Sequence, residues 1–504
     1  GALGGATIAA SATGDINDAS ATFSRQIYSF FAQDEWQATD QLSLTAGVRV
    51  QLYDGVGVPR NNPLFQQRFG ISNSVPFSSL DTVILPRFSA TYDLFNEGFF
   101  SNTTLTGGVG LFSGGDPVVF YSNAFSNDGF ASANGDTGDA ECAGFVDANG
   151  NFNVLAGGQF TGFPQCALDA AVNNAAAGGA DVKSTDPNFD IPTVLRANLG
   201  VDTTIGAQDG FFSNWNLKLD YIYSRFIDPI NINDLVQVPN PSEGLNGFAI
   251  DGRPIIAAID PTNPGCNAEL VGTGGTPPTY TNVTADCFGT RIDDFNQLTN
   301  GPSYDSHVFS IALAKRFESG VFTDGGNVNV SFGYAFTDSN NTRNIFGATA
   351  NGNFEDTAAF DFQDPAVSTS NFETRHRFTV AANFREEFFD DYSTQLGVFF
   401  SAQSGRPYSL TFSGDGFQDS TSGDNNALLY IPTGIGDPNL SPQSTATAAD
   451  IDSLLNVISG LNCNFTPGQS IRRNTCRNDW VYDMDLRFSQ EIPGPGSFFG
   501  LDDR

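Results

Sequence analysis

The chain has 504 residues, is rich in glycine (54) and phenylalanine (47), and carries a formal net charge of −33 at pH 7. That charge argues against nucleic-acid binding, which needs clustered lysine and arginine. No apolar run approaches the roughly 20 residues of a membrane-spanning helix. Membrane β-barrel strands leave almost no hydropathy signal, so a mean hydropathy of −0.18 is compatible with such a barrel.

The first two predicted strands lie at residues 26–37 and 41–52. In the second, polar residues alternate with the apolar residues Leu42, Leu44, Ala46, Val48, Val50 and Leu52. This alternation predicts a strand with one apolar and one polar face, about twice as long as the 5–6 residues usual in soluble proteins. The strand at 26–37 is less regular, because Phe31 and Asp34 fall on the wrong faces.

The same alternation recurs and predicts eleven long strands in all. The later ones are centred on 87–94, 105–111, 195–201, 215–223, 309–313, 328–336, 378–384, 396–402 and 480–490. Ten strands form five hairpins with short turns, and the eleventh has no hairpin partner. Long segments rich in Asn, Gly, Asp, Ser and Pro join the hairpins, at about 55–82, 114–192, 228–303, 338–371 and 405–478.

Strict alternation of short and long connections is typical of an outer-membrane barrel. The predicted fold class is therefore all-β: a transmembrane antiparallel up-and-down β-barrel with long extracellular loops. With about eleven or more long strands, a partial barrel in the form of an open curved sheet is expected. The predicted location is the bacterial outer membrane, with membrane lipid against the apolar face.

Charged residues fall mainly on the predicted polar face, which is expected to line a watery interior. They are Arg49, Asp93, Arg196, Asp202, Lys218, Asp220, Arg375, Arg377, Asp483, Asp485 and Arg487. The exceptions on the apolar face, Lys315 and Glu386, lie beside short turns, where we expect them to reach out to water. Aromatic residues near strand ends predict a girdle: Tyr28, Trp36, Tyr53, Tyr92, Trp215, Tyr221, Tyr334 and Trp480.

Six cysteines lie in the long loops, two in each of three loops. Loop membership selects one of 15 connectivities: Cys142–Cys166, Cys266–Cys287 and Cys463–Cys476. Such bridges require an oxidising compartment and would restrict otherwise unstructured loops. Free thiols are the alternative. Zinc is disfavoured because the chain has no CxxC motif and only two histidines.

Several segments resemble TonB-dependent outer-membrane receptors. FFAQDEWQATDQLSLTAGVR, at 30–49, is similar to a hairpin characteristic of that family. Other segments resemble its Oar-like, OmpA-related branch, in order along nearly the whole chain. They are LPRFSATYDL, FYSNAFSNDG, DPNFDIPTVLRANLGVD, ETRHRF, QSGRPYS, ALLYIPTG and DMDLRFSQEIP.

The resemblance implies a barrel of about 22 strands with a plugged lumen, and uptake energised through an inner-membrane TonB complex. The plug domain, TonB-box and final strands of that family have no counterpart here, and no signal peptide is visible. Residues 1–504 are therefore expected to form one part of a receptor β-barrel domain. Eleven strands leave two unpaired edges, which a bilayer does not tolerate, so we expect no closed pore from this chain alone.

No catalytic constellation is recognised, and we predict that the protein is not an enzyme. His307 lies at a strand start, His376 lies in ETRHRF, and no G-x-S-x-G motif is present. Both histidines are interpreted as structural residues.

No cofactor is predicted apart from calcium in two Asp- and Asn-rich segments, whose residues are equally typical of turns. The candidates are Asp415, Asp419 and Asp424, and Asp147, Asn149 and Asn151.

The sequence favours a receptor or transporter that captures an extracellular ligand of unknown identity through its long loops. Phe120, Tyr121, Phe125 and Phe130 are candidate contacts, although packing among the loops explains them equally well. The alternatives are a non-transporting outer-membrane adhesin or structural barrel, and a secreted β-protein with calcium-bound loops. The expected partners are outer-membrane lipid, the TonB complex and the ligand, without nucleic acid.

Overall fold

The computed structural model describes residues 7–494, apart from 115–116, 145–154, 157–158, 161, 163, 207–209, 273–276, 289–294, 390–391, 414–416, 418–425 and 442. Its main element is one antiparallel sheet that contains the eleven predicted long strands. They are β1 (Ser24–Gln37), β2 (Leu42–Val56), β3 (Val83–Asp93), β4 (Phe100–Ser113), β5 (Thr193–Ile205), β6 (Trp215–Ile227), β7 (Tyr304–Phe317), β8 (Asn327–Asn341), β9 (His376–Phe389), β10 (Tyr392–Gln403) and β11 (Val481–Gln490).

Each long strand pairs with its neighbours in chain order, from β1 to β11. The five predicted hairpins are present, and β11 pairs along one edge with β10. The short strand Ser368–Thr369 adds to the end of β8. Among the described residues β1 and β11 do not pair with each other, so the sheet is open. The predicted fold class is confirmed.

The register gives the sheet one apolar and one charged face. Paired residues share a face, and one chain of partners runs Phe88, Val109, Ala197 and Tyr223. The other face carries partners such as Asp202 and Lys218, whose charged groups are 2.9 Å apart. We call the apolar face the outer face and the charged face the inner face.

Two short turns fold back over the outer face of the sheet and contact the first strand of the next hairpin. Turn T2 (described at 206 and 210–214) joins β5 to β6, and turn T3 (residues 318–326) joins β7 to β8. On β7, Lys315 Nζ donates hydrogen bonds to the carbonyls of Phe211 (2.9 Å) and Ser213 (2.6 Å) in T2. Lys315 is thus buried by the turn of the preceding hairpin.

Glu386 on β9 holds T3 through hydrogen bonds to the turn backbone, as Lys315 holds T2, but it accepts these bonds where Lys315 donates them. Its carboxylate accepts hydrogen bonds from the backbone N–H groups of Val321, Phe322 and Thr323. Gly320 lies so close to this carboxylate that a side chain there would collide with it. The expectation that Lys315 and Glu386 reach out to water is therefore wrong, because each caps unsatisfied backbone groups of a turn.

The long connections form a structured layer, which we call the loop layer. It consists of L1 (57–82), L2 (114–192), L3 (228–303), L4 (342–375) and L5 (404–480). Its helices are α1 (Pro63–Phe69), α2 (Val118–Ser126), α3 (Gln165–Ala177), α4 (Ala350–Glu355) and α5 (Ala448–Gly460). No helix in the described part of the chain is long and apolar enough to span a bilayer.

In the described residues, small sheets and four single-turn 3-10 helices complete the loop layer and the N-terminal segment that joins it. The paired strands are Thr7–Ala10 with Ala133–Asp136, Leu155–Ala156 with Gln159–Phe160, Ser184–Thr185 and Ile230–Asp234 with Asn296–Asn300, Gln237–Pro239 with Ile256–Ala258, Glu269–Gly272 with Thr279–Thr281, Pro407–Tyr408 with Cys476–Arg477, and Tyr430–Ile431 with Gln469–Ser470. The 3-10 helices are Ile16–Ala19, Phe77–Ser79, Ala140–Cys142 and Ala285–Cys287.

One hydrophobic core draws side chains from all five loops. Phe77 of L1, Phe125 of L2, Ile232 of L3, Phe354 of L4 and Ala427 of L5 are all buried in it. Tyr53 and Leu85 join this core from the inner face of β2 and β3, so the loops fold over the inner side of the sheet. The described parts of the loops are folded, whereas their composition suggested unstructured segments. Asn and Gly provide turns there, while Phe and Ile provide a core.

Candidate ligand site in the loop layer

Three disulfides brace the loop layer. The structure bonds Cys142 to Cys166, Cys266 to Cys287 and Cys463 to Cys476, which are the pairs that loop membership selected. The first attaches a 3-10 turn to α3, and the third attaches the segment after α5 to the strand Cys476–Arg477, which pairs with Pro407–Tyr408. Short covalent links of this kind stabilise the folded loops mainly by restricting the unfolded chain.

A cavity of about 780 Å³ opens where L3, L4 and L5 meet. Its apolar lining includes Ile250 of L3, Ala359 and Phe360 of L4, and Leu428 and Ile471 of L5. Its polar lining consists of Asp251, Ser368, Tyr430, Asn439, Gln469, Ser470, Arg472 and Arg473. This volume and this mixture of side chains suit a small molecule that is held by a few directed polar contacts.

One wall of the cavity is ordered by the buried carboxylate of Asp437. Tyr430 Oη donates to both carboxylate oxygens at 3.1 Å, and the backbone N–H groups of Thr433 and Asn439 donate at 2.6 and 2.8 Å. Burial acts to raise the pKa of Asp437, but the hydrogen bonds outweigh burial and hold this pKa below its ordinary value. Asn439 Nδ2 donates in turn to Tyr430 Oη at 2.7 Å.

The lowered pKa of Asp437 predicts that this wall weakens in acid. The carboxylate stabilises the fold above the unfolded-state pKa of about 3.9, and this contribution is lost as pH falls through the lower folded-state pKa. Asp437→Asn should remove about 1–3 kcal/mol of local stability already at pH 7. Hydrogen exchange of residues 430–439, corrected for intrinsic rates between pH 3 and 7, measures both effects, with the exposed Asp452→Asn as control. Equal protection of Asp437→Asn and wild type at pH 7 would contradict the prediction.

Arg253 joins the three loops beneath the cavity. It is 1% exposed, and its guanidinium contacts the Asp251 carboxylate at 2.8 Å and Ser470 Oγ at 2.6 Å. The guanidinium also lies over three rings, at 5.2 Å from Phe360 and Phe412 and 4.6 Å from Phe417. These contacts bring together residues of L3, L4 and L5, so Arg253 positions the lining residues Asp251, Phe360 and Ser470.

Arg472 and Arg473 play different parts in the cavity. Arg473 is 3% exposed and donates to the side-chain oxygen of Asn341 at 2.8 Å. Burial lowers the pKa of Arg473 to about 10, so it stays charged at neutral pH. Arg472 is exposed, lines the cavity and has no hydrogen-bond or ion-pair partner among the described residues. It is therefore available to an anionic group of a ligand.

The aromatic residues proposed as ligand contacts lie elsewhere. Phe120, Tyr121 and Phe125 belong to the common core of the loops, and Phe130 is 9% exposed beneath the Arg60 guanidinium. Their burial favours the packing interpretation of these four residues, and the ligand-contact hypothesis stays a prediction. The calcium candidates Asp415, Asp419, Asp424, Asp147, Asn149 and Asn151 lie outside the described residues. Among the described residues, no group of three His, Cys, Asp or Glu side chains is placed to hold a metal ion.

The two histidines lie at the long-loop ends of β7 and β9, on the outer face. His307 Nδ1 is 2.8 Å from Tyr221 Oη, and His376 Nδ1 is 3.0 Å from Tyr334 Oη. The His376 ring also stacks on Trp480, with centroids 6.2 Å apart. Both histidines thus form part of the aromatic girdle.

The sequence offered one weak signal for the cavity. Arg472 and Arg473 are adjacent basic residues in a chain with only 23, and such a pair in a long loop can mark an anion site. Nothing in the sequence joins them to Asp251 or Tyr430, since the contacts between L3, L4 and L5 form only in the folded loops.

Comparison with known proteins places the chain among barrels. Residues 3–499 match the sequence profile of a family described as "Outer membrane beta barrel domain". No curated protein matches in sequence.

Solved structures with a similar fold include the outer membrane transporter YddB from Escherichia coli, with 11% identity, a TM-score of 0.39, and 79% of this chain and 36% of that chain covered. The siderophore receptor PirA from Pseudomonas aeruginosa is also similar, with 9% identity, a TM-score of 0.28, and 75% of this chain and 40% of that chain covered. The siderophore receptor PirA from Acinetobacter baumannii has 11% identity and a TM-score of 0.34, with 79% of this chain and 36% of that chain covered. The chain spans about two fifths of the length of these structures.

Proposed function

Because this chain belongs to the outer membrane beta barrel domain family, we propose that it forms the wall and ligand-capturing loops of a TonB-dependent receptor of the Oar-like branch. The protein is located in the outer membrane, and lipid surrounds its outer face. Residues 1–504 are proposed to be part of one barrel domain. Ligand bound by the loops would be taken up with energy supplied by a TonB complex.

The observation that carries this proposal is the cavity between L3, L4 and L5. A purely structural wall needs no cavity of about 780 Å³ with a free guanidinium, since surface loops gain stability by closing over apolar side chains. The Arg253 cluster and the Asp437 network hold its lining in place before any ligand binds. Such preorganisation is typical of a binding site.

The lining also indicates the class of ligand. Arg472 supplies a positive charge, and Tyr430, Asn439, Gln469 and Ser470 supply hydrogen-bonding groups, while Phe360 and Ile471 supply apolar surface. We propose a small polar molecule that carries at least one anionic group. The surrounding loops are predominantly acidic, which disfavours strongly anionic polymers such as nucleic acids.

Substituting Arg472 tests the binding site. In cells that display the full-length protein, a panel of fluorescent ferric chelates, acidic oligosaccharides and peptides is screened for a probe that binds the wild type. Arg472→Ala should then reduce probe affinity at least about tenfold, since a charge-assisted contact contributes about 1.5–3 kcal/mol. The matched control is Arg406→Ala, which removes an exposed arginine of L5 outside the cavity. Equal losses in both variants would refute the assignment.

Uptake is distinguished from adhesion with the same probe. A transported probe becomes protected from an extracellular quencher, and an uncoupler that collapses the proton-motive force abolishes this protection. A probe that stays accessible to the quencher in energised cells would instead support the non-transporting adhesin.

A further inference from the structure

A second cavity lies on the outer face, at the short-turn end of the sheet. It has a volume of about 810 Å³, and its floor is formed by Leu313 of β7 with Val328, Val330 and Phe332 of β8. Leu313 and Phe332 are register partners on the outer face. We call this cavity the outer groove. It is separate from the loop layer, which lies at the opposite end of the strands.

Turns T2 and T3 form the two sides of the outer groove. Phe211, Phe212 and Trp215 line one side, and Gly320 and Val321 line the other. The sides exist because Lys315 and Glu386 draw the turns back over the outer face. The lining is almost wholly carbon, so water is a poor occupant.

The rim of the outer groove exposes large apolar side chains. Phe211 is 60% exposed, Phe212 74% and Phe322 of T3 77%. The sequence GFFSN occurs twice, at 98–102 and 210–214, and places adjacent phenylalanines at the β3–β4 connection and in T2. Exposed apolar surface of this extent marks a site of contact with a membrane or another molecule.

We propose that the outer groove binds one acyl chain of a phospholipid from the periplasmic leaflet. The groove is continuous with the outer face, which contacts membrane lipid in this family. In outer-membrane barrels the short turns lie on the periplasmic side, so the leaflet beside the groove is the periplasmic one. An acyl chain held between T2 and T3 covers the floor residues Leu313 and Val330, and the phospholipid headgroup then lies beside the turns.

Tryptophan fluorescence provides a direct test. Trp215 lines the groove and is 7% exposed, whereas Trp36 lies on the outer face of β1 and is 61% exposed. The full-length protein is prepared with Trp215 as the only tryptophan of this chain, using Trp36→Phe and Trp480→Phe. A control variant keeps only Trp36. In detergent, equimolar phospholipid with brominated acyl chains should quench Trp215 strongly and Trp36 little.

A groove-filling substitution provides the second test. Val330→Phe places a larger side chain on the groove floor, and the control Val398→Phe places the same side chain on the outer face of β10, outside the groove. We expect Val330→Phe to retain roughly tenfold less co-purified phospholipid, because each buried methylene contributes to acyl-chain binding. Heat-modifiable migration in SDS gels verifies that both variants are folded.

The proposal is overturned if Trp215 and Trp36 respond equally to equimolar lipid, or if folded Val330→Phe retains as much lipid as Val398→Phe. Neither of these outcomes depends on ligand capture by the loop layer.

Discussion

Replacing Glu386 by alanine is expected to destabilise the barrel wall by about 3 kcal/mol, since several turn donors lose a charged acceptor. The Glu386 carboxylate accepts hydrogen bonds from three successive backbone N–H groups of T3, and from the Thr323 hydroxyl at 2.8 Å. Without it, these donors lose their acceptor, and the apolar lining of the outer groove around them supplies none. Few single substitutions in the strands remove as many hydrogen bonds at once.

The neighbouring residue provides a matched control for this substitution. Glu387 is a half-exposed carboxylate on the same strand, paired with Arg385 at 3.8 Å, and an ion pair of this kind contributes about 0–1 kcal/mol. Urea unfolding of the detergent-solubilised full-length protein, followed by heat-modifiable migration, should show a large shift for Glu386→Ala and a small one for Glu387→Ala. If the two midpoints coincide, Glu386 does not hold T3.

The second large effect is expected in the loop layer, from Asp251→Ala. This substitution removes the carboxylate that neutralises Arg253 and leaves a buried cation with Ser470 and three aromatic rings. Removing one partner of a buried ion pair costs about 3–5 kcal/mol. We expect local unfolding where L3, L4 and L5 meet, with loss of the cavity, while the long strands remain folded.

Limited proteolysis with mass spectrometry of the fragments measures this local unfolding. Cleavage should appear near residues 250–256 and 468–473 in Asp251→Ala, at protease concentrations that leave the wild type intact. Asp452→Ala, which removes an exposed carboxylate from α5, should keep the wild-type pattern. An unchanged pattern in Asp251→Ala would mean that the loops do not depend on the Arg253 cluster.

The long strands were predictable because alternation along a strand is a local property. The apolar residues of 41–52 alternate in the sequence and lie on one face of β2 in the structure. Neighbouring strands follow each other in the chain, so their pairing was predictable as well. The same strictly local pattern could not explain Lys315 and Glu386, because their partners belong to the turn of another hairpin.

The loop layer was much less predictable. Arg253 and Ser470 are 217 positions apart, and no periodicity links them. The phenylalanines of L2 gave no indication of whether they face a ligand or a core, since both surroundings favour aromatic side chains. The disulfide pairs were predictable from the sequence because both cysteines of each pair lie within one loop. The pairing therefore does not depend on how the loops contact each other.

The hydrogen bonds that hold T2 and T3 make each of these turns depend on a strand that lies later in the chain. Each turn is held by the first strand of the next hairpin, T2 by Lys315 of β7 and T3 by Glu386 of β9. Deleting the β9–β10 hairpin would therefore release T3, whereas deleting the β5–β6 hairpin would leave the hydrogen bonds that hold T3 intact. If the sheet assembled from β11 towards β1, Lys315 and Glu386 would be in place before the turns that they hold. If it assembled from β1 towards β11, T2 and T3 would each lack these hydrogen bonds until the next hairpin was added.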